Sequence, residues 1–242
     1  MKIITGMHRS GSSILSKLFF ECGADFGPVQ TMYPADKWNP DGYYEQLDIL
    51  KVNLFLVNGP FGKLSYLKLP SDKTILQRSG HVADQIRKIG KDYEERCVKE
   101  NRFCLTLNAW LEHGTQVDGV IICLRNPRNV ATSLWRRNKL PIWIAYRLWL
   151  QHYERLLSTL EKHQIPHTVA DYDTIKTNTP ASVKHLQYLL QFFNIDTNED
   201  CVSEMLQKNL RTLKTSSQRV ELPDAVMRMY LRLKNMANHH EK

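Results

Sequence analysis

The sequence predicts an α/β chain of three layers, α/β/α, around a mostly parallel central sheet. Three observations predict it. Lys2-Ile3-Ile4-Thr5 is a short apolar run that stops at a glycine, as a buried strand does. Gly119-Val120-Ile121-Ile122-Cys123-Leu124 is continuous and β-branched, the pattern of a central strand covered on both faces. Segments with helical spacing lie between and after such runs, and strands that alternate with helices build a parallel sheet.

The elements follow in order. Ser12 or Ser13 can cap a helix running to Gly23, with Ile14, Leu15, Leu18 and Phe19 on one face. Residues 24–44 are rich in Gly, Pro, Asp and Asn and read as an ordered surface loop. Glu45–Val57 has helical spacing at Leu47, Leu50, Leu54 and Val57. Asn58–Pro70 is again loop. Asp72–Lys99 reads as one long, charged, amphipathic helical region, and Phe103–Leu107 as a strand. Asn126-Pro127 opens a helix to about Asn138. Leu140–Lys162 carries a core-facing apolar stripe. Pro166–Ala170 is a further strand. Thr179-Pro180 has the form of an N-cap followed by proline, opening a helix to Phe193. The tail from Pro223 is helical and basic. There is no internal repeat or low-complexity linker. Residues 1–242 are therefore expected to form one domain, a motif-bearing core over 1–195 and a helical C-terminal part over 196–242.

Composition narrows the function classes. The 242 residues hold 33 Lys and Arg against 25 Asp and Glu, a formal charge of +8, which favours an anionic partner. No apolar run reaches the roughly 18 residues of a membrane span, so no integral membrane association is expected. Neither is a signal peptide. Five cysteines without a Cys-x-x-Cys pair signal neither a disulfide framework nor a zinc site, and a reduced, cytoplasmic setting is expected.

Gly6-Met7-His8-Arg9-Ser10-Gly11-Ser12-Ser13 joins the first strand to the first helix. It fits the P-loop template at both glycines and at Ser13, but Ser12 stands where the lysine belongs. Such a loop aims backbone N–H groups and a helix N-terminus at an anion. In a nucleotide triphosphatase the lysine holds the β- and γ-phosphates, and an acidic residue helps to hold Mg²⁺. Here the central strand ends in Leu124-Arg125, so the loop suits a phosphate-like group without that apparatus. Arg9 can supply the charge as a planar, multidentate donor.

A second anion motif follows the central strand. Arg125 falls at the strand's C-terminal edge, where open α/β sheets bind ligands. Ser133 lies one helical stretch later, and the two together could grip a second phosphate. The alternative is that Arg125 pairs with a carboxylate and Ser133 faces solvent.

These segments together resemble the sulfotransferases that use 3′-phosphoadenosine 5′-phosphosulfate. Gly6–Ser13 is similar to their 5′-phosphosulfate loop, and Arg125–Ser133 to their 3′-phosphate motif. Asn39-Pro40-Asp41-Gly42-Tyr43-Tyr44-Glu45, with the later Asn53, resembles the Gly-Tyr-x-Glu segment of bacterial members. Asp171-Tyr172-Asp173-Thr174-Ile175 resembles the segment after their later strand. The resemblance spans roughly residues 1–195 and implies a P-loop NTPase-like fold. It departs at the Lys-Asp-Pro-Arg segment of many bacterial members. The stretch set against that segment, Leu105-Thr106-Leu107-Asn108-Ala109-Trp110, lacks the charges. The Arg-Lys-Gly loop of cytosolic animal members is also missing, with Lys208, Arg211 and Lys214 as substitutes.

The resemblance implies sulfuryl transfer from 3′-phosphoadenosine 5′-phosphosulfate, without a metal, to a hydroxyl or amine of an acceptor. That acceptor would be a carbohydrate, glycolipid or small metabolite, anionic or neutral. Gly6, Arg9, Ser10, Gly11, Ser12 and Ser13 would bind the 5′ end, and Arg125 and Ser133 the 3′-phosphate. Arg9 would also stabilise developing charge. Glu45 is one candidate base, the alternative being a helix-start carboxylate that complements the dipole. His8 is the other candidate base, the alternative being a loop-packing side chain. Trp38, Tyr43, Tyr44 and Trp110 could line an acceptor cleft or pack in the core. Competing readings are a non-catalytic nucleotide-binding protein on this fold and an atypical P-loop kinase. A nucleic-acid partner is not expected. Arg136-Arg137 and Lys139 cluster, but they read equally as a solvated helix end.

Overall fold

The computed structural model describes residues 1–37, 39–60, 69–210 and 221–238. Four parallel strands form the sheet in the order β2-β1-β3-β4: β1 Lys2–Thr5, β2 Cys97–Lys99, β3 Gly119–Leu124 and β4 His167–Asp171. The register aligns Ile4 with both Lys99 and Ile121, and Leu124 with Asp171. The C-terminal ends of the strands therefore share one edge of the sheet.

Alternation along each strand sends side chains to two apolar layers. Ile3, Val98, Val120, Ile122 and Val169 face one cluster. It is filled by α2 (Leu47–Asn58), α3 (Asp72–Ser79), α4 (Ala83–Asp92), α5 (Phe103–Glu112), α6 (Pro127–Asn138), α7 (Ile142–Lys162) and a C-terminal helix, Asp224–Asn238. Ile4, Cys97, Ile121, Cys123 and Ala170 face the other cluster. There α1 (Ser12–Glu21), the short α8 (Tyr172–Ile175), α9 (Pro180–Phe192) and α10 (Glu199–Leu210) pack. The C-terminal helix is thus α11. This is the expected α/β architecture with an all-parallel sheet between helical layers. All five cysteines are free thiols. No described helix is long and apolar enough to cross a membrane.

Several expected elements change. Asp72–Lys99 is not one helical region. A 3-10 turn at Gly80–Val82 separates α3 from α4, and the segment ends in the edge strand β2. Three residues are too short a strand to stand out against the helical charge pattern before them. Phe103–Leu107 is helical, part of α5, where tertiary packing overrides the β-branched and aromatic local preference. The helix expected from Glu45 begins at Leu47, with Gln46 in extended conformation before it. Neither Ser12 nor Ser13 caps α1. Gly11 holds that position with φ 91, because both hydroxyls are engaged elsewhere. By contrast Asn126 caps α6 through its side chain, and Thr179 and Ser182 form a reciprocal capping box at α9.

Gly11 is also required by space. A Cβ there would meet the Tyr172 ring at 2.2 Å in a left-handed backbone conformation. Gly11→Ala is expected to destabilise the chain by about 1–3 kcal/mol, from backbone strain plus overpacking. Urea unfolding would measure this, and an unchanged midpoint would show that the ring moves aside freely.

Candidate functional site

The four residues that follow the strand ends are Gly6, Glu100, Arg125 and Tyr172; the last two line a cleft of about 810 Å³ at the sheet's C-terminal edge, together with the strand-end Lys99. Seven Arg and Lys side chains and one carboxylate, Glu45, line it among the described residues. Three of the seven are ion-paired, Lys99 with Glu45, Arg102 with Glu100 and Lys176 with Asp173, and the excess of positive charge over the rest of the lining favours an anion. Burial together with Arg137 and Arg125 pushes the Arg9 guanidinium below its ordinary value.

The loop after β1 is built tightly against the sheet. Gly6 lies so close to β3 that a Cβ would meet the Cys123 carbonyl oxygen at 2.5 Å. Ser10 is buried, its N–H bonded to the Met7 carbonyl at 3.1 Å. Gly6 and Ser10 thus shape the loop from beneath, while His8, Arg9, Gly11, Ser12 and Ser13 face the cleft. Arg9 is held at φ 73, a left-handed conformation that costs a non-glycine residue about 1 kcal/mol or more. The first N–H groups of α1 have no partner within the helix.

Arg9, Ser133 and Arg125 meet. Arg9 Nε donates to Ser133 Oγ at 2.9 Å, and Arg125 Nη1 donates to the Arg9 carbonyl at 3.1 Å. The Arg125 guanidinium lies 4.8 Å from the Tyr172 ring centre. Its buried Nε has no hydrogen-bond partner among the described residues. The expected closeness of Arg125 and Ser133 is present, with Arg9 between them and no carboxylate on Arg125 among the described residues. The two anion motifs are therefore one contact set.

Opposite them stand residues that the sequence reading missed. Lys99, the last residue of β2, is 1% exposed at its side chain and forms an ion pair with Glu45 Oε1, itself 9% exposed. Lys99 Nζ also donates to Ser13 Oγ at 3.4 Å. The cation absent from the loop sequence is thus delivered to the loop from the neighbouring strand. Glu45 lies one residue before Gln46, the N-cap of α2, with its carboxylate on Lys99. Glu100 is fully buried; it accepts from Arg102 Nη1 at 2.5 Å and from Asn53 Nδ2 at 2.7 Å. Burial pushes its carboxyl up, against the opposing pull of Arg102. Asn53 Oδ1 in turn accepts from Thr106 Oγ1 at 2.7 Å and Trp110 Nε1 at 2.9 Å. Asn101 Oδ1 accepts from Ser12 Oγ at 2.8 Å, and its Nδ2 lies 3.2 Å from His8 Nδ1. Leu105–Trp110 is buried helix and carries no site charges. The nearest site charges stand earlier, as Lys99 paired with Glu45 and Arg102 paired with Glu100. The detectable signal was the run Lys99-Glu100-Asn101-Arg102 directly after Cys97-Val98.

Of the aromatic candidates, Tyr43 lines the cleft and donates from its hydroxyl to Asp36 Oδ1 at 2.8 Å. Tyr44 does not line it: its ring packs on Phe20 and Phe26 at 5.6 and 6.2 Å between centres. Trp110 is fully buried in the core. Trp38, Arg211 and Lys214 lie outside the described residues.

His8 lines the cleft, and burial, then Arg102, pushes its pKa well below the ordinary value, so at neutral pH it is an uncharged imidazole. Compared with known proteins, the chain matches no family model, no curated protein and no solved structure.

His152 of α7 is buried, with its pKa pushed down to about 4 by burial. A histidine with a depressed native pKa makes the unfolded state the better proton binder between the two values. Its contribution to stability is therefore complete above about pH 6.5 and is lost as pH falls toward 4, some 3 kcal/mol in all. Urea unfolding across that window is expected to show the loss, and His152→Gln to reduce its slope. An unaltered slope in the variant would assign the loss to other groups.

Proposed function

We propose that the cleft binds 3′-phosphoadenosine 5′-phosphosulfate and transfers its sulfuryl group to a hydroxyl or amine of a carbohydrate, glycolipid or small metabolite. The observation that carries this reading is the convergence at one cleft of a P-loop-like turn without lysine, Lys99 from β2, and Arg125 and Ser133 joined through Arg9. A donor anionic at both ends fits a cleft lined by seven cations, three of them paired with Glu45, Glu100 and Asp173, and the buried, unpartnered Arg125 Nε fits a further acceptor atom. The donor supplies a sulfuryl group attached to a stable leaving phosphate. A sulfuryl group carries less charge than a phosphoryl group, so protein cations suffice where a kinase recruits Mg²⁺.

On this reading the residues divide the work. Arg125 and Ser133 hold the 3′-phosphate. The loop N–H groups, Ser12 and Ser13 hold the 5′ end, and Arg9 stabilises the charge that develops there. Glu45 is the base the geometry favours. When it takes the acceptor's proton it loses its charge, and the ion pair that holds Lys99 is released. The ammonium is then free to support the leaving oxygen, so proton removal and leaving-group stabilisation become one event. His8, held by Asn101 and neutral, is the second candidate for the same proton. Tyr43 would contact the acceptor at the cleft mouth.

Adenosine 3′,5′-bisphosphate is expected to raise the thermal midpoint without divalent ions, by about 2.7 kcal/mol of stabilisation at a hundredfold excess over Kd. Arg125→Ala should weaken that binding about tenfold or more. No stabilisation, or a larger one from ATP with Mg²⁺, would defeat the reading. Donor binding without transfer to any acceptor would leave a nucleotide-binding protein. With a working acceptor, Glu45→Gln and Lys99→Met should each lower kcat about 10²–10³-fold. The double variant, which leaves no buried unpaired charge, separates lost chemistry from lost folding.

A further inference from the structure

The corner between α6 and α7 displays an unusual combination of side chains. Trp135 in the last turn of α6 is 47% exposed, and Trp143 in the first turn of α7 is 66% exposed, with Ile142 beside it at 37%. The corner is fixed. Lys139 takes a left-handed conformation with φ 55 and donates its N–H to the Trp135 carbonyl, Leu140 is buried beneath, and Pro141 precedes α7. Cations are interleaved with the apolar groups. Lys139 Nζ lies 6.0 Å from the Trp135 ring centre and the Arg147 guanidinium 5.8 Å from that of Trp143. From Gly119 to Tyr153 the chain carries six Arg and Lys and no Asp or Glu. The neighbouring Arg136, Arg137 and Asn138 line the cleft, so this corner forms one margin of its mouth.

We propose that the α6–α7 corner docks the protein peripherally on an anionic lipid surface. Trp143, Ile142 and Trp135 enter the headgroup layer, and Lys139 and Arg147 meet lipid phosphates. Tryptophan favours the boundary where one part of the ring is apolar and its N–H is wet. Cations beside it gain from the negative surface potential. Ile142 selects the lipid surface over a soluble polyanion: an aliphatic side chain neither stacks on a sugar nor pairs with a charge, and gains only by leaving water. The surface is defined by residues outside the cleft and stands whether or not the cleft transfers sulfuryl groups.

The test uses the full chain and sedimentation with vesicles. Vesicles of phosphatidylcholine mixed with phosphatidylserine are expected to carry the protein down, and pure phosphatidylcholine vesicles much less. Raised salt should weaken the binding. Trp143→Ser with Ile142→Ser, and separately Lys139→Glu with Arg147→Glu, should each reduce partitioning about tenfold or more. All four side chains are exposed, so thermal midpoints should hold, and none lines the cleft, so adenosine 3′,5′-bisphosphate binding reports separately on the transfer reading. Vesicle binding that survives both double substitutions would overturn the proposal. So would binding to dextran sulfate or an oligonucleotide with none to vesicles.

Discussion

The ion pair between Lys99 and Glu45 is the interaction on which the site depends. An ammonium at the end of a strand, closed off from water, persists only if a carboxylate meets it there. Removing one partner of such a pair typically costs about 3–5 kcal/mol, because the other charge is left buried and alone. The pair therefore fixes where the segment before α2 crosses the sheet edge, and it brings Lys99 within reach of Ser13. That segment carries Tyr43 to the cleft mouth, and the sheet supplies the floor.

Around this pair a set of buried hydrogen bonds holds the framework. Asn53 reaches from α2 to Glu100, and Thr106 and Trp110 of α5 close on its carbonyl oxygen. Each polar atom in that chain has a partner, so the network can be rigid without leaving unsatisfied groups. The loop side of the cleft is organised differently. Arg9 sits in a left-handed conformation with other arginines nearby, and strain and repulsion are concentrated on one residue. The remainder of the fold over-determines that position.

Much of this was legible in the sequence for a physical reason. β1 and β3 are interior strands, and strands covered on both faces must be apolar throughout, which leaves an unmistakable run. Asn126-Pro127 and Thr179-Pro180 announced their helices because caps require those residues. β2 was hidden because an edge strand of three residues carries no periodicity and follows an amphipathic helix. With it were hidden Lys99, Glu100, Asn101 and Arg102. Their roles depend on register across the sheet, which places Lys99 opposite Ile4 although 95 positions separate them in the chain. Tyr44 and Trp110 show the converse. An aromatic side chain looks the same in a sequence whether it lines a cleft or fills a core, and only packing decides between them.

The Tyr172 ring touches both halves of the cleft. One part of it fills the space left by the missing side chain of Gly11, and the Arg125 guanidinium lies over it. The loop and the strand-end arginine are consequently not separable modules. A different loop transplanted between β1 and α1 would have to arrive with a ring of matching size at position 172, or displace the arginine beside it. Ligand specificity in this chain can drift only by changes made in concert, and residue 172 sets the step.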